Sequence, residues 1–210
     1  MKTSSTLPGR AAALVPSVSL ALAVFVAGAG CQSSERAAET AEMSRPTDSV
    51  ERGEYLVTTM GCNDCHTPWT MGANGPEPDS DRMLSGHPAD LRMPPPPEFT
   101  PPWGWAGSLT MTAFTGPWGI TYGANLTPDM ETGLGAWDEN LFIAAIRNGK
   151  VKGAGRPMLP PMPQPSYQHL TDEDLKAIFA YLKSVPPVKN QVPEWVPPAG
   201  GAPGPAAGTH

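Results

Sequence analysis

Gly61-Cys62-Asn63-Asp64-Cys65-His66 decides how the rest of the chain is read. Two cysteines separated by two residues and followed at once by histidine form the attachment signature of a c-type haem. Each thiol adds across one haem vinyl group to give a thioether, and His66, held against the porphyrin by those bonds, supplies one axial nitrogen to the iron. The remaining chain is then expected to provide export, a second axial ligand and an apolar wrapping for one covalently bound haem c.

Working back toward the N-terminus, Pro46-Thr47-Asp48-Ser49-Val50-Glu51 starts a predicted helix, with Asp48 as N-cap and Glu51 completing a capping box. Val50, Gly53, Val57 and Met60 share one helical face, and Gly53 on that face lets another helix approach closely. The segment from Gln32 to Arg45 is Ser, Ala, Glu and Thr with little that is large and apolar, so it reads as a tether. Residues 1–30 combine Lys2 and Arg10 with the apolar stretch from Ala11 to Ala29, the pattern of a secretory signal. Three routes are open there: cleavage after Ala27-Gly28-Ala29, lipidation of Cys31 at a lipobox-like site in which Gly28 replaces the usual large aliphatic residue, or an uncleaved anchor helix. We favour lipidation at Cys31, because that cysteine has no other evident use, and an acyl chain there holds the protein to a membrane surface.

Working forward, residues 67–124 are the least regular part, with Pro94 to Pro97, Pro101-Pro102 and four of the six tryptophans: Trp69, Trp103, Trp105 and Trp118. Two readings stand, an ordered proline-stiffened wrap over the haem or a partner-facing surface, and rings that fill the core under long loops. A second helix starts at Trp137-Asp138-Glu139, capped by Asp138, striped by Leu141, Phe142, Ala145 and Ile146, and ended by Gly149. Arg147, Lys150, Lys152 and Arg156 then place four positive charges in ten residues, either a solvated loop or a docking rim for an acidic partner. A third helix is capped by Thr171, with Asp174 closing a capping box and Leu175, Ile178, Phe179 and Leu182 on one face until Pro186-Pro187. From Val192 to His210 the Pro, Gly and Ala composition predicts a mobile tail.

The second axial ligand has ten methionines to choose from. Met162 leads, because prolines on both sides set its backbone outside a helix; Met158 is second, and Met71, Met83, Met93, Met111 and Met130 read as apolar filler. His87 and His169 offer bis-histidine alternatives. A thioether opposite histidine raises the reduction potential and fills the sixth position, which favours electron transfer over binding of a small molecule.

Charge excludes one class of function. The net charge is -6, and beyond residue 30 there are 12 basic against 20 acidic residues, so a nucleic-acid footprint is not expected. No nucleotide-binding loop, catalytic triad or second metal site is recognisable, so neither catalysis by this chain nor a small-molecule substrate is expected. Three functions remain: a one-electron carrier, a haem-bearing subunit permanently bound in a dehydrogenase or oxidase complex, and a haem sensor or enzyme with a labile sixth ligand.

Several blocks together carry a family resemblance. They are the helix ending in the Cys62 to His66 motif, Asn125-Leu126-Thr127-Pro128-Asp129, Thr132-Gly133-Leu134-Gly135 with Trp137, Ala145-Ile146-Arg147 with Gly149, Met162-Pro163, and Leu170 to Leu175 running on to Ala180-Tyr181-Leu182. Over about residues 48–190 the chain resembles a class I monohaem cytochrome c, and in particular the cytochrome subunits that accompany bacterial periplasmic dehydrogenases. The resemblance implies an all-α fold of about three main helices around one haem, here with a long Pro/Trp-rich insertion. It implies that the first and third helices cross with Gly53 and Val57 against Ile178 and Tyr181, that Met162 is the sixth ligand, and that the Pro76 carbonyl accepts a hydrogen bond from His66. It further implies redox partner proteins, a dehydrogenase or a terminal oxidase, on the periplasmic side of a bacterial membrane. The organisation expected is thus a signal over 1–30, a tether from Cys31 over 31–47, the cytochrome domain over 48–190 and a flexible tail over 191–210.

Overall fold

The computed structural model describes residues 46–198; the signal segment, Cys31 and the tether lie outside the described residues, as does the tail beyond residue 198. Helix α1 spans Pro46–Thr59. It starts at Pro46 rather than after an Asp48 cap, because proline has φ already set for a helix and its missing N–H is not needed in the first turn. A short helix α2, Cys62–His66, follows across a turn in which Gly61 has φ 72°. Helix α3, Glu139–Asn148, is capped by the Asp138 carboxylate, which accepts from Leu141 N–H at 2.8 Å, and it ends at Gly149 with φ 61°. After a short α4, Gln164–Tyr167, helix α5 runs over Asp172–Ser184 with the Thr171 hydroxyl accepting from Asp174 N–H.

The core joins these helices. Leu56 and Val57 of α1, Phe142 and Ile146 of α3, and Leu175, Ala177, Ile178, Phe179 and Leu182 of α5 are buried in one cluster. The Phe142 and Phe179 rings lie 5.2 Å apart, within the range of a favourable aromatic pair. Gly53 makes the α1–α5 crossing possible: a Cβ there would stand 2.0 Å from Ala177 O and 2.7 Å from Tyr181 Cβ, so the two backbones are in direct contact. Asp174, predicted to close a capping box, instead takes Arg52 of α1 at 2.9 Å. Lys183 near the end of α5 donates to the carbonyls of Leu134 and Gly135.

The fold is mixed rather than all-α, because the region between His66 and Asn125 contains two small sheets. One is a hairpin, β1 Trp69–Gly72 with β2 Gly75–Pro78; the other has strand order β3 Ala106–Gly107, β4 Ala113–Gly116, β5 Gly119–Tyr122, all antiparallel. Both hairpins close through two-residue loops between paired glycines, Gly72 with Gly75 and Gly116 with Gly119. The Ala-Phe-Thr and Ile-Thr-Tyr runs that flank the second turn suit a pleated surface, while the proline runs elsewhere remove donors and keep the strands short. Trp103 and Trp105 do not fill the core, being 77% and 54% exposed. Trp69 and Trp118 are partly buried, with indole N–H groups that are shielded and unpaired.

The segment after α5 is not free from its start. Val196 exchanges backbone hydrogen bonds with Ile120 of β5, and the Trp195 indole donates to Trp118 O at 2.7 Å. The flexible tail expected over 191–210 is thus anchored at Trp195 and Val196, and its part beyond residue 198 lies outside the described residues. Among the described residues no helix is long and apolar enough to cross a membrane.

Candidate haem-attachment site

Coiling residues 62–66 into one helical turn and a half brings Cys62 and Cys65 to neighbouring positions on its surface, with His66 directly after. Both cysteines are free thiols and half-buried, and Cys62 packs against the helical core. Burial pushes the Cys62 thiol up to about 11 and raises that of Cys65 as well, so both are protonated in the bare polypeptide.

The His66 ring is oriented by a single contact. Its Nδ1 lies 2.8 Å from Ala124 O. A carbonyl can only accept, so the proton sits on Nδ1 and Nε2 is left with its lone pair; burial lowers the ring's pKa and keeps it neutral. The predicted acceptor, Pro76, is instead exposed in β2 opposite Met71, because the hairpin turns that segment outward. The Ala124 peptide reaches His66 because Gly123 has no side chain: a Cβ there would stand 2.0 Å from Cys65 O. Gly86 closes the same seam, its N–H donating to His66 O at 2.7 Å, while His87 N–H donates to Gly123 O at 2.9 Å.

The methionine segment follows α3 and is fixed by several hydrogen bonds. Met158 N–H donates to Gly149 O at 2.7 Å, Pro160 O accepts from the Thr121 hydroxyl of β5 at 2.9 Å, and Met162 N–H donates to Leu159 O. Met158 and Met162 are both half-buried against the cluster that also contacts Cys62 and Met60. In α4, Gln164 donates to Ile146 O, and the Tyr167 hydroxyl donates to Met60 O, tying the methionine segment to the residue that precedes the attachment motif by two.

The two histidine alternatives are otherwise placed. His87 is buried, and both ring nitrogens are occupied, Nδ1 with the Thr112 hydroxyl at 3.0 Å and Nε2 with Leu91 O at 3.2 Å, the ring leaning on Tyr122 at 4.8 Å. His169 is exposed. Of the four clustered cations, Arg147 is drawn into the fold by Asp172 and Gln168 O, which leaves Lys150, Lys152 and Arg156 in the loop after α3.

Two thiols, a neutral imidazole with a free Nε2 and half-buried thioethers on one apolar core form a donor set that fits a covalently held haem iron. Ala124, Gly123, Gly86 and Tyr167 complete the surroundings. Their contribution is mostly backbone, and only the neighbouring Asn125 to Asp129 block hinted that this stretch mattered.

The cytochrome c family model matches residues 50–186. One of the subunits of the nicotinate dehydrogenase of Pseudomonas putida is 40% identical over 144 residues, 69% of this chain and 9% of that protein. The gluconate 2-dehydrogenase cytochrome c subunit of Pantoea cypripedii is 34% identical over 140 residues, 66% of this chain and 24% of its own length. The cytochrome c subunit of the quinone alcohol dehydrogenase of Gluconobacter oxydans is 29% identical over 148 residues, 69% of this chain and again 24% of its own length. The chain thus spans a quarter or less of these three relatives.

Proposed function

Because the chain belongs to the cytochrome c family, and so carries haem c covalently and transfers electrons rather than catalysing a reaction itself, we propose a specific site and setting for it. Cys62 and Cys65 would hold the haem through thioethers, and His66 Nε2 and the Met162 sulfur would ligate its iron. The protein is exported to the periplasmic side of a bacterial membrane, is held there through lipidated Cys31, and passes single electrons between a dehydrogenase and a further acceptor such as a terminal oxidase. When bound, the haem supplies an iron that exchanges one electron without changing ligands.

The observation that carries the reading is the His66 Nδ1 contact to Ala124 O, since it leaves Nε2 as the only ring nitrogen with a lone pair to give. Cys62 of the attachment motif packs against the buried side chains of α1, α3 and α5, and a low-dielectric surrounding favours the less charged ferrous state. Met162→Ala is expected to abolish the methionine-dependent ferric charge-transfer band and lower the potential. Met158→Ala is expected to keep the band; the reverse pattern would transfer the assignment to Met158. If neither substitution moved the spectrum, the sixth position would not be a methionine and the labile-ligand reading would replace this one.

A second setting, a haem-bearing subunit permanently bound in a dehydrogenase complex, draws on the exposed Trp103 and Trp105 and on the names of the relatives. Mild membrane solubilisation separates the two: a single species of about the chain's own mass counts against a stable complex.

A further inference from the structure

Asn190 lies beyond α5 in a stretch with no regular structure, yet every hydrogen-bonding group it offers on its side chain is used. Its amide nitrogen donates to Ser85 O at 2.7 Å and to His87 O at 2.9 Å, and its Oδ1 accepts from Ala89 N–H at 2.9 Å. Its own backbone N–H donates to the Thr132 hydroxyl at 3.0 Å, so the bracket is anchored to the loop that precedes α3. The two carbonyls it holds flank Gly86.

Gly86 is the residue that presses on the site. Its N–H donates to His66 O at 2.7 Å. With φ 78°, it also lies so close to the next strand of chain that a Cβ would stand 2.5 Å from Gly123 O and 2.8 Å from Ala124 O. Ala124 O is the acceptor of the His66 Nδ1–H, and Gly123 O is held by His87 N–H. A continuous set of contacts therefore runs from the Asn190 amide through the Ser85 to His87 loop to both the main chain of His66 and the carbonyl that orients its ring.

We infer that Asn190 is a positioning residue for the axial imidazole: by clamping the Ser85 to His87 loop against Ala124, it sets the strength of the Nδ1–H···O bond and through it the donor power of Nε2. The inference rests on His66 being the iron ligand. An imidazole that donates firmly from Nδ1 is the more basic at Nε2 and favours the ferric state; a loosened bond favours the ferrous state. Asn125 also pins this neighbourhood, but its amide donates to Val188 O, the Thr132 hydroxyl and, at 3.4 Å, the main-chain O of Asn190, and its Oδ1 accepts from Thr127, so it does not hold the carbonyls around Gly86.

The test uses the full-length, haem-loaded chain with Asn190→Ala and with Asn190→Ser, which retains one donor. Lys189→Ala is the control, since its ion pair with Glu131 lies in solvent. Two quantities are read beside thermal stability: the ferrous-to-ferric ratio at one fixed ambient potential, and the solvent-exchange rate of the His66 Nδ1 proton by NMR. Asn190→Ala is expected to raise the ratio by about threefold to tenfold and to speed exchange, with Asn190→Ser between it and the wild type. The control should match the wild type. Unchanged ratio and exchange in Asn190→Ala, even with lower stability, would reduce Asn190 to a structural brace; if that variant does not load haem, Asn190→Ser carries the same criterion. Absence of hyperfine-shifted His66 ring resonances in the wild type would overturn the ligand assignment itself, and this inference with it.

Discussion

The helical scaffold and the sheeted region between His66 and Asn125 meet at the same motif but are held together by different forces. In α1, α3 and α5 the buried residues are Leu, Val, Ala, Ile and Phe, packed across Gly53. In residues 67–127 Leu84, Ala113 and Phe114 are buried, but beside them stand Thr67, Ser85, His87, Thr112, Thr121, Asn125 and Thr127, most of them bonded to main-chain atoms. The first region is cohesive wherever apolar area is removed from water, so many neighbours share each contribution. The second depends on individual pins, each of which leaves a shielded partner unsatisfied when it is lost. The haem-attachment motif stands at the seam, its cysteine facing the first region and its histidine oriented by the second.

Breaking the seam itself is expected to have the largest effect. Gly123→Ala places a methyl group 2.0 Å from Cys65 O, and since the methyl is fixed directly to one backbone and the oxygen belongs to another, one strand must move. The expected outcome is little or no haem-loaded protein, read by covalent haem staining of the exported chain. A normal yield would show that the two regions are joined more loosely than their contacts suggest.

The contrast between the regions is sharpened by one substitution in each. Leu175→Ala, in a side chain only 1% exposed, is expected to cost about 2–5 kcal/mol in denaturant unfolding. Asn125→Ala removes the donor to Val188 O and the acceptor for Thr127, and is expected to cost about 1–3 kcal/mol. The distinguishing result is locality: Asn125→Ala should speed amide exchange mainly in residues 125–132 and 188–190, where its partners lie, Leu175→Ala throughout the helices.

pH offers a milder probe of the sheeted region. Burial lowers the His87 pKa from 6.5, so the folded protein holds this proton less tightly than the unfolded chain does. Its contribution is therefore full above about pH 6.5 and declines as the pH falls through that value toward the lower folded one. Protonation also forces Nδ1, which accepts from the Thr112 hydroxyl, to become a donor. His87→Gln is expected to flatten the fall of the thermal midpoint between about pH 7 and pH 5 relative to the wild type. An unchanged slope would place the pH sensitivity elsewhere. The smallest effect is expected from Arg52→Ala. The Arg52–Asp174 pair is partly solvated, with Arg52 46% exposed, and its loss should change the stability by less than about 1 kcal/mol.

The helices were legible because their determinants are short-ranged. Asp138 and Thr171 cap through groups three residues away, Gly149 ends α3 by its own φ, and the apolar stripe of α5 repeats within one turn. The start of α1 was misplaced by three residues, Pro46 instead of Ser49, because a proline at the first helical position competes with an aspartate cap, and both are good starts. The sheets were missed because proline and glycine dominate the composition around them and mask short β-prone runs such as Ala113 to Thr115.

What the sequence alone determined was local: the spacing of Cys62, Cys65 and His66 and the helices over Pro46–Thr59, Glu139–Asn148 and Asp172–Ser184. Only the tertiary structure decided which carbonyl orients His66, since Ala124 lies 58 residues from it and offers a peptide oxygen that every residue possesses. The same holds for His87, whose nitrogens are taken by Thr112 and Leu91, and for Asn190, whose amide closes a loop 103 residues away. Side-chain type and spacing are written in the chain, whereas a backbone acceptor acquires its role only from the fold that brings a donor to it.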